Sequence, residues 1–169
     1  MYGIAIGNTE TEARRIMNLS TEDIAIISKQ CEIQHATSTQ EIAAFSRAYA
    51  AAKVSSIPET EDDLLSLVLE FARIINQRND EWGWRLIPVV FASGDSGLDY
   101  KLIPRAMQNW AEAVVENRLT PTEAYKIFEE IHPFEDGNGR TGYLIWAMLV
   151  RKETGKWPVT LPPDHLFSE

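Results

Sequence analysis

The sequence predicts an all-α, mainly helical fold: a helical bundle with one short β-hairpin. Apolar residues recur at helical spacing in several segments, and Ser/Thr-x-x-Glu patterns mark helix starts. Only one stretch, residues 85–102, combines apolar β-formers with a glycine-rich turn. A chain of 169 residues with 44% hydrophobic residues can bury a core as one unit. We therefore expect a single domain over residues 1–169, with its core at about 60–155.

The first part of the chain predicts a lead-in segment and two helices. Residues 1–20 form the expected lead-in, because Asn8–Asn18 is largely polar. The first helix, from Thr21, carries apolar residues at helical spacing, namely Ile24, Ile27 and Cys31. The second is rich in alanine and ends near Lys53, and Ser38 with Glu41 resembles a capping box at its start.

A long amphipathic helix is predicted after the break at Pro58. It begins near Thr60 with acidic residues in its first turn, where they complement the helix dipole. One face of this helix is apolar: Leu64, Leu67, Val68, Phe71, Ala72 and Ile75. This pattern indicates core packing and carries no information about function.

A β-hairpin is predicted over residues 85–102. Arg85–Phe91 is rich in Leu, Ile and Val, Ser93–Gly97 is a turn, and Leu98–Leu102 can return. Pro88 restricts the first strand to an edge, because it has no N–H to donate to a ladder. Taken alone, the pattern also fits a hairpin that only covers the core.

Three further helices are predicted in the second half of the chain. The first runs from about Ile103 to Glu116. The second has Thr120 as N-cap, Pro121 at its first position and Glu123 completing a capping box. It should end at His132, because Pro133 disfavours helix for the residue before it. The third is apolar all round, as a central helix is, and Trp157–Glu169 is a tail expected to pack on the body.

Composition narrows the class of protein. The formal net charge of −9 opposes nonspecific binding to nucleic acid or anionic lipid. No run approaches the roughly 18 apolar residues of a membrane span. Cys31 is the only cysteine, so an internal disulfide is excluded. We expect a cytoplasmic protein with neither nucleic-acid nor membrane partners, although exported effectors can lack a recognisable signal.

The segment from His132 to Tyr143, His-Pro-Phe-Glu-Asp-Gly-Asn-Gly-Arg-Thr-Gly-Tyr, concentrates residues that handle phosphate. A histidine can act as a base near neutral pH. Asp136 can bind a hard cation, and the Gly-Asn-Gly turn allows close approach of backbone N–H groups to an anion. Arg140 adds a fixed positive charge, and the following helix directs its positive end at the same point.

These residues resemble the signature of the Fic domain family, His-Pro-Phe-x-Asp/Glu-Gly-Asn-Gly-Arg-x-x-Arg. The matching positions are His132, Pro133, Phe134, Asp136, Gly137, Asn138, Gly139 and Arg140. The resemblance implies a Fic-type helical bundle and a transferase that moves AMP from Mg-ATP onto a Ser, Thr or Tyr hydroxyl of a target protein. Mg²⁺ is then the implied cofactor and ATP the co-substrate.

The resemblance also implies roles for individual residues. His132 takes the proton from the target hydroxyl, and Asp136 binds Mg²⁺. The phosphates are held by Gly137, Asn138, Gly139 and Arg140: the Asn138 side chain and the loop N–H groups contact the α-phosphate, and Arg140 holds the next phosphate. The hairpin is a flap that aligns the target by strand addition, through Val89, Val90 and Phe91. From the residues alone, a locally bonded histidine, a turn aspartate and a plain helix–helix turn stay open as alternatives.

Tyr143 is the one departure, because it replaces the last arginine of the signature. In the family that arginine contacts the terminal phosphate and pairs with an inhibitory glutamate, whose own motif is not found here. The absence of both the arginine and the glutamate motif fits three possibilities. The protein is a transferase free of this self-inhibition, a transferase whose nucleotide depends less on its terminal phosphate for binding, or a weakened Fic-fold protein kept for binding. Transfer of another phosphate-containing group, including phosphorylation as in the relative called Doc, ranks lower because Doc differs at Gly137 and Gly139. An inhibitory antitoxin-like partner is a further expectation.

Overall fold

The computed structural model describes residues 9–78 and 81–163, and within these ranges the fold is helical. It contains seven α-helices: α1 Thr9–Met17, α2 Thr21–Ile33, α3 Thr39–Lys53, α4 Glu61–Ile75, α5 Ile103–Val115, α6 Pro121–Ile131 and α7 Asn138–Thr154. A 3₁₀ turn at Tyr100–Leu102 leads into α5. The predicted mainly α fold is confirmed. No helix in the described ranges is both long and apolar enough to cross a bilayer.

Helix starts follow the capping chemistry of the sequence. Both predicted capping boxes are present, at Ser38 with Glu41 and at Thr120 with Glu123. A third box, Ser20 with Asp23, opens α2. In each box the cap side chain accepts from the N3 N–H and the N3 carboxylate accepts from the cap N–H, which satisfies two otherwise unpaired donors.

Helix α7 is the central element of the bundle. It packs against α6, α4 and α3, and residues 138–148 are all buried. The prediction of a helix that is apolar all round is therefore confirmed. The predicted apolar face of α4 also lies entirely in the core.

Helix α2 turns a different face inward from the one its apolar spacing predicted. Ile24 is 59% exposed, while Ile26 and Ile27 are buried. The reason is that two polar residues, Asp23 and Gln30, occupy the inner face and make buried hydrogen bonds. The prediction considered only apolar residues, and it therefore placed Ile24 on the buried face, where it does not lie.

The predicted hairpin is present in reduced form. One antiparallel bridge joins Val90 and Ser96, and the N–H groups of Phe91 and Gly97 donate to the carbonyls of Asp95 and Val89, both at 2.9 Å. The pairing extends over too few residues to form a regular strand within the described chain.

Both ends of the described chain pack on α3. The segment expected as a lead-in forms α1 over Thr9–Met17, and Glu12 pairs with Arg47 of α3 at 3.3 Å. At the other end, Trp157 donates from Nε1 to the Tyr49 hydroxyl at 2.9 Å, as expected for a packed tail. The rest of the predicted tail, residues 164–169, lies outside the described residues, as do 1–8 of the lead-in.

Candidate functional site

His132 ends helix α6 and begins the signature loop. It is the C-cap of α6 in the left-handed conformation, with φ 51° and ψ 63°, and its N–H still donates to the Phe128 carbonyl at 3.0 Å. This is the predicted helix end before Pro133. The residue is 4% exposed. Its ring contacts the edge of the Phe91 ring, and the two ring centroids are 5.1 Å apart. The base expected from the sequence therefore lies against the hairpin.

The loop after His132 is closed by the Asn138 side chain. Its Oδ1 accepts from the Phe134 N–H and its Nδ2 donates to the Phe134 carbonyl, both at 2.8 Å. Phe134 itself is buried against Trp82 and Trp84, which anchors the loop in the core. The resemblance implied an Asn138 side chain on the α-phosphate. Here that amide is buried and bonded within the loop, which leaves the backbone N–H groups to face an anion.

Helix α7 begins inside the signature, at Asn138. Its N-cap, Gly137, has φ 78°, a conformation that favours glycine, and supplies no side chain to cap the helix. The first intrahelical bond of this helix is from the Thr141 N–H to the Gly137 carbonyl. The N–H groups of Asn138, Gly139 and Arg140 therefore have no partner in the helix ladder, and an anion at this end would meet them.

Two glutamine side chains, Gln30 of α2 and Gln34 at its C-cap, reach this helix end. A Cβ at Gly139 would lie 2.4 Å from Oε1 of Gln34, so a larger residue here would require the Gln34 side chain to move. Gln30 donates from Nε2 to the Gly139 carbonyl at 3.3 Å. The sequence did not indicate this contact, because the two segments are 109 positions apart and glutamine on a helix carries no distinctive signal.

Asp136 and Arg140 form the charged part of the site. Arg140 Nη2 lies 3.4 Å from Asp136 Oδ1; the Asp136 side chain is 62% exposed and that of Arg140 only 3%. The Gly137 N–H also donates to Oδ1, at 2.8 Å. Asn76 at the end of α4 supports the loop by donating to the Asp136 carbonyl at 3.1 Å. The open carboxylate is thus held on one oxygen, and its second oxygen has no bond to the described chain.

A polar cavity of about 200 Å³ opens at this pair. Its wall includes both members of the pair together with Glu135, Asn76, Arg78 and Trp82. Most ligand pockets measure about 300–1,000 Å³, so this one suits phosphate and a cation better than a whole nucleotide. Nearby, burial raises the pKa of the Cys31 thiol to about 11 although the Arg140 charge opposes the rise, so the thiol stays protonated at neutral pH.

Tyr143 points away from the cavity and into the core. It is fully buried, stacks on Tyr49 at 6.2 Å and meets Phe45 edge-on at 6.3 Å. Burial raises the pKa of its hydroxyl, with a further rise from the Asp23 charge and a partial offset from Tyr49. The departure from the signature therefore fills an aromatic cluster, and no cation from this position reaches the polar cavity.

The remaining predicted site residues lie on the hairpin. Val90 is 69% exposed, while Val89 and Phe91 are half-buried. The hairpin contacts His132 through Phe91, so the residue expected as base and the hairpin expected as flap are neighbours. Sequence reasoning missed Arg85, which is buried beneath both; its only signal was a charge inside an otherwise apolar run.

A histidine that ends one helix, a glycine loop closed by Asn138 and a central helix that begins in the loop characterise this helical fold. Two solved structures share the fold. A Fic domain containing signaling protein from Bacteroides thetaiotaomicron is similar with a TM-score of 0.57 and 19% identity, over 92% of this chain and 75% of that one. A Fic family protein from Desulfovibrio desulfuricans is similar with a TM-score of 0.61 and 18% identity, over 86% of this chain and 58% of that one.

Residues 98–150 match the model of the Fic/DOC family. The resemblance to the Fic family that the signature carries is thus confirmed for this segment. The matched segment runs from the end of the hairpin to near the end of α7 and includes the whole loop. None of the curated proteins compared matches the chain.

Proposed function

We propose that the protein is a nucleotidyltransferase that moves AMP from Mg-ATP onto a hydroxyl side chain of a target protein. The observation that carries this proposal is the short loop that joins His132 to the uncapped start of α7. Between them stands the exposed carboxylate of Asp136, with Arg140 beside it. A base, a cation ligand and an anion site therefore lie within nine consecutive residues, 132–140.

The phosphates of ATP would bind at the start of α7. The N–H groups of Gly139 and Arg140 and the positive end of this helix favour negative charge there. The Arg140 guanidinium adds a charge-assisted hydrogen bond. The cavity is too small for the whole nucleotide, so ribose and base extend beyond it and the base is not selected there.

Asp136 is the residue that would hold Mg²⁺. The donor set fits, because a hard cation that keeps several waters needs one accessible carboxylate and phosphate oxygens. Asp136 is open to solvent, fixed through Oδ1 and available through its second oxygen. When bound, the cation would neutralise phosphate charge and polarise the reacting phosphoryl group.

His132 would act as the general base. Its ring accepts the proton of a target Ser, Thr or Tyr hydroxyl as the hydroxyl oxygen attacks the α-phosphorus. The bond from that phosphorus to the bridging β-phosphate oxygen breaks, and pyrophosphate leaves with the electron pair. The hairpin residues Val89, Val90 and Phe91 would align the target main chain beside this histidine.

The test is incubation of the purified protein, alone and with a cell lysate, with Mg²⁺ and each of ATP, GTP, CTP and UTP. We expect a mass gain of one nucleoside monophosphate on a protein hydroxyl, with ATP the best donor. A gain of a bare phosphate would instead mean that the protein transfers phosphate. No gain with any of the four would leave an interaction module as the function of this domain.

A further inference from the structure

Arg85 is one of the largest side chains that are almost completely buried in the described chain, at 1% exposure. Its four side-chain hydrogen bonds within the described chain all go to main-chain carbonyls. Nε donates to the His132 carbonyl at 2.7 Å, and Nη2 reaches that of Ile131 at 3.4 Å. The other two bonds join Nη1 to Ile87 at 2.8 Å and Nη2 to Leu98 at 2.6 Å.

These partners belong to two different parts of the site. Ile131 and His132 end α6, where carbonyls lack helical partners and carry the negative end of the dipole. Ile87 and Leu98 flank the hairpin on its incoming and outgoing sides. One guanidinium therefore joins the residue that carries the base to both legs of the hairpin.

The backbone of Arg85 strengthens the same connection. Its N–H donates to the Pro133 carbonyl at 2.8 Å, so the bonds of this residue bracket His132 on both sides. His132 has a left-handed backbone, a conformation that is unfavourable for residues other than glycine. Such a conformation persists only where its surroundings fix it, and the bond from Nε to its carbonyl is one such constraint.

We propose that Arg85 is a positioning residue that sets the His132 ring and the hairpin in fixed relation to each other. The edge-on contact between the His132 and Phe91 rings, with centroids 5.1 Å apart, then depends on the hydrogen bonds of Arg85. A guanidinium suits the role because its planar fork supplies donors in several directions at once. This inference rests on the proposed function, in which His132 is the base and the hairpin guides the target.

A matched control exists elsewhere in the chain. Arg151 of α7 also donates to main-chain carbonyls, those of Ala52, Lys53 and Ser55 at the end of α3. Burial lowers the pKa of both guanidinium groups. Arg151 thus donates to main-chain carbonyls at the end of a different helix, as Arg85 does, although it is only half-buried and also lies over the Trp157 ring.

The test compares Arg85→Met with Arg151→Met by NMR and amide exchange. We expect Arg85→Met to lose the contact between the His132 and Phe91 rings and to exchange the Phe91 and Gly97 amides at least tenfold faster. Arg151→Met should keep both features while its melting temperature falls. The sequence has three histidines, so the His132 ring signals can be assigned. If Arg85→Met fails to fold, the same comparison with Arg85→Lys decides.

Kinetics then separate a positioning role from a purely structural one. With a labelled target, Arg85→Met should raise the KM for the target and lower kcat, leaving the affinity for Mg-ATP within about twofold of wild type. Equal loss of the ring contact in both arginine variants would overturn the inference, as would its retention in Arg85→Met. Failure of the proposed function would be distinguishable. The wild-type protein would then transfer nothing, while Arg85→Met and Arg151→Met would still differ in the ring contact and in amide exchange.

Discussion

Two aspartates, each beside a cation, differ in almost every other respect. Asp23 is 3% exposed and accepts from the Tyr49 hydroxyl at 2.6 Å and from Lys53 at 2.8 Å. Asp136 has a side chain that is 62% exposed, and its Oδ1 lies 3.4 Å from Nη2 of Arg140. The first carboxylate is fully occupied by the protein, whereas the second keeps an oxygen open to a ligand.

The difference extends to the regions around the two acids. Asp23 belongs to a closed network in which Tyr49 also accepts from Trp157 and stacks on Tyr143. Asp136 belongs to a loop that leads into an uncapped helix end and a polar cavity. A satisfied polar network specifies and stabilises a core, while unsatisfied donors beside an open acid are suited to binding. The closed cluster around Asp23 is therefore suited to stabilising the fold, and the open cluster around Asp136 is suited to binding a ligand.

The largest effect is expected at the base. His132→Ala should slow AMP transfer by roughly 10²–10⁴-fold, because it removes the proton acceptor. His132→Asn is the control for folding, since asparagine tolerates the left-handed conformation at this position. Both variants should bind Mg-ATP nearly as wild type does in calorimetry. Transfer at the wild-type rate in either variant would remove His132 from the mechanism.

A large loss of stability is expected when charge enters the closed cluster. Tyr143→Arg restores the signature arginine, but it puts a cation among Phe45, Tyr49 and Trp146, where the native side chain is fully buried. We expect unfolding to become easier by about 3–5 kcal/mol, measured by urea denaturation. An arginine variant as stable as wild type and tighter for ATP than for ADP would mean that this position can reach the phosphates.

These expectations show where sequence reasoning succeeds in this chain. Helix ends followed from local chemistry: the capping boxes at Ser38 and Thr120 and the end of α6 before Pro133 need only neighbouring residues. The loop was recognisable for the same reason. Its contacts with Gln34 and Arg85 were not, because they join residues that the fold alone brings together. The resemblance implied the phosphate role of Asn138, whereas the hydrogen bonds of its side chain to Phe134 could not be predicted from the sequence.

A moderate effect is expected from removing the charge of the closed acid. Asp23→Asn should reduce stability by about 2–3 kcal/mol, because it weakens charge-assisted hydrogen bonds from Tyr49 and Lys53. Asp62→Asn, at an exposed position in the first turn of α4, should cost under about 1 kcal/mol. Thermal melts of the two variants side by side measure the difference. Equal losses would mean that the network around Asp23 contributes no more than a surface charge.

The same acid predicts a dependence of stability on pH. Burial raises the pKa of Asp23, but hydrogen bonds from Lys53, Tyr49 and Ser20 outweigh it, so the pKa lies below its ordinary value of 3.8. A lowered carboxyl pKa contributes stability above the unfolded value and loses it as pH falls through the folded value. We expect urea midpoints to fall more steeply below about pH 4 in wild type than in Asp23→Asn. If the urea midpoints of wild type and Asp23→Asn fell equally with pH, the lowered pKa would not belong to Asp23.

The most direct test of the central claim is calorimetric titration of ATP, with and without Mg²⁺, into wild type, Asp136→Asn and Glu135→Gln. Glu135 is the matched control, because it is the adjacent exposed acid and lines the same cavity. We expect Mg²⁺ to strengthen ATP binding in wild type and in Glu135→Gln and to have no such effect in Asp136→Asn. If Mg²⁺ strengthened ATP binding in Asp136→Asn as much as in wild type, Asp136 would not be the residue that binds Mg²⁺. That result would contradict the functional difference proposed between Asp136 and Asp23.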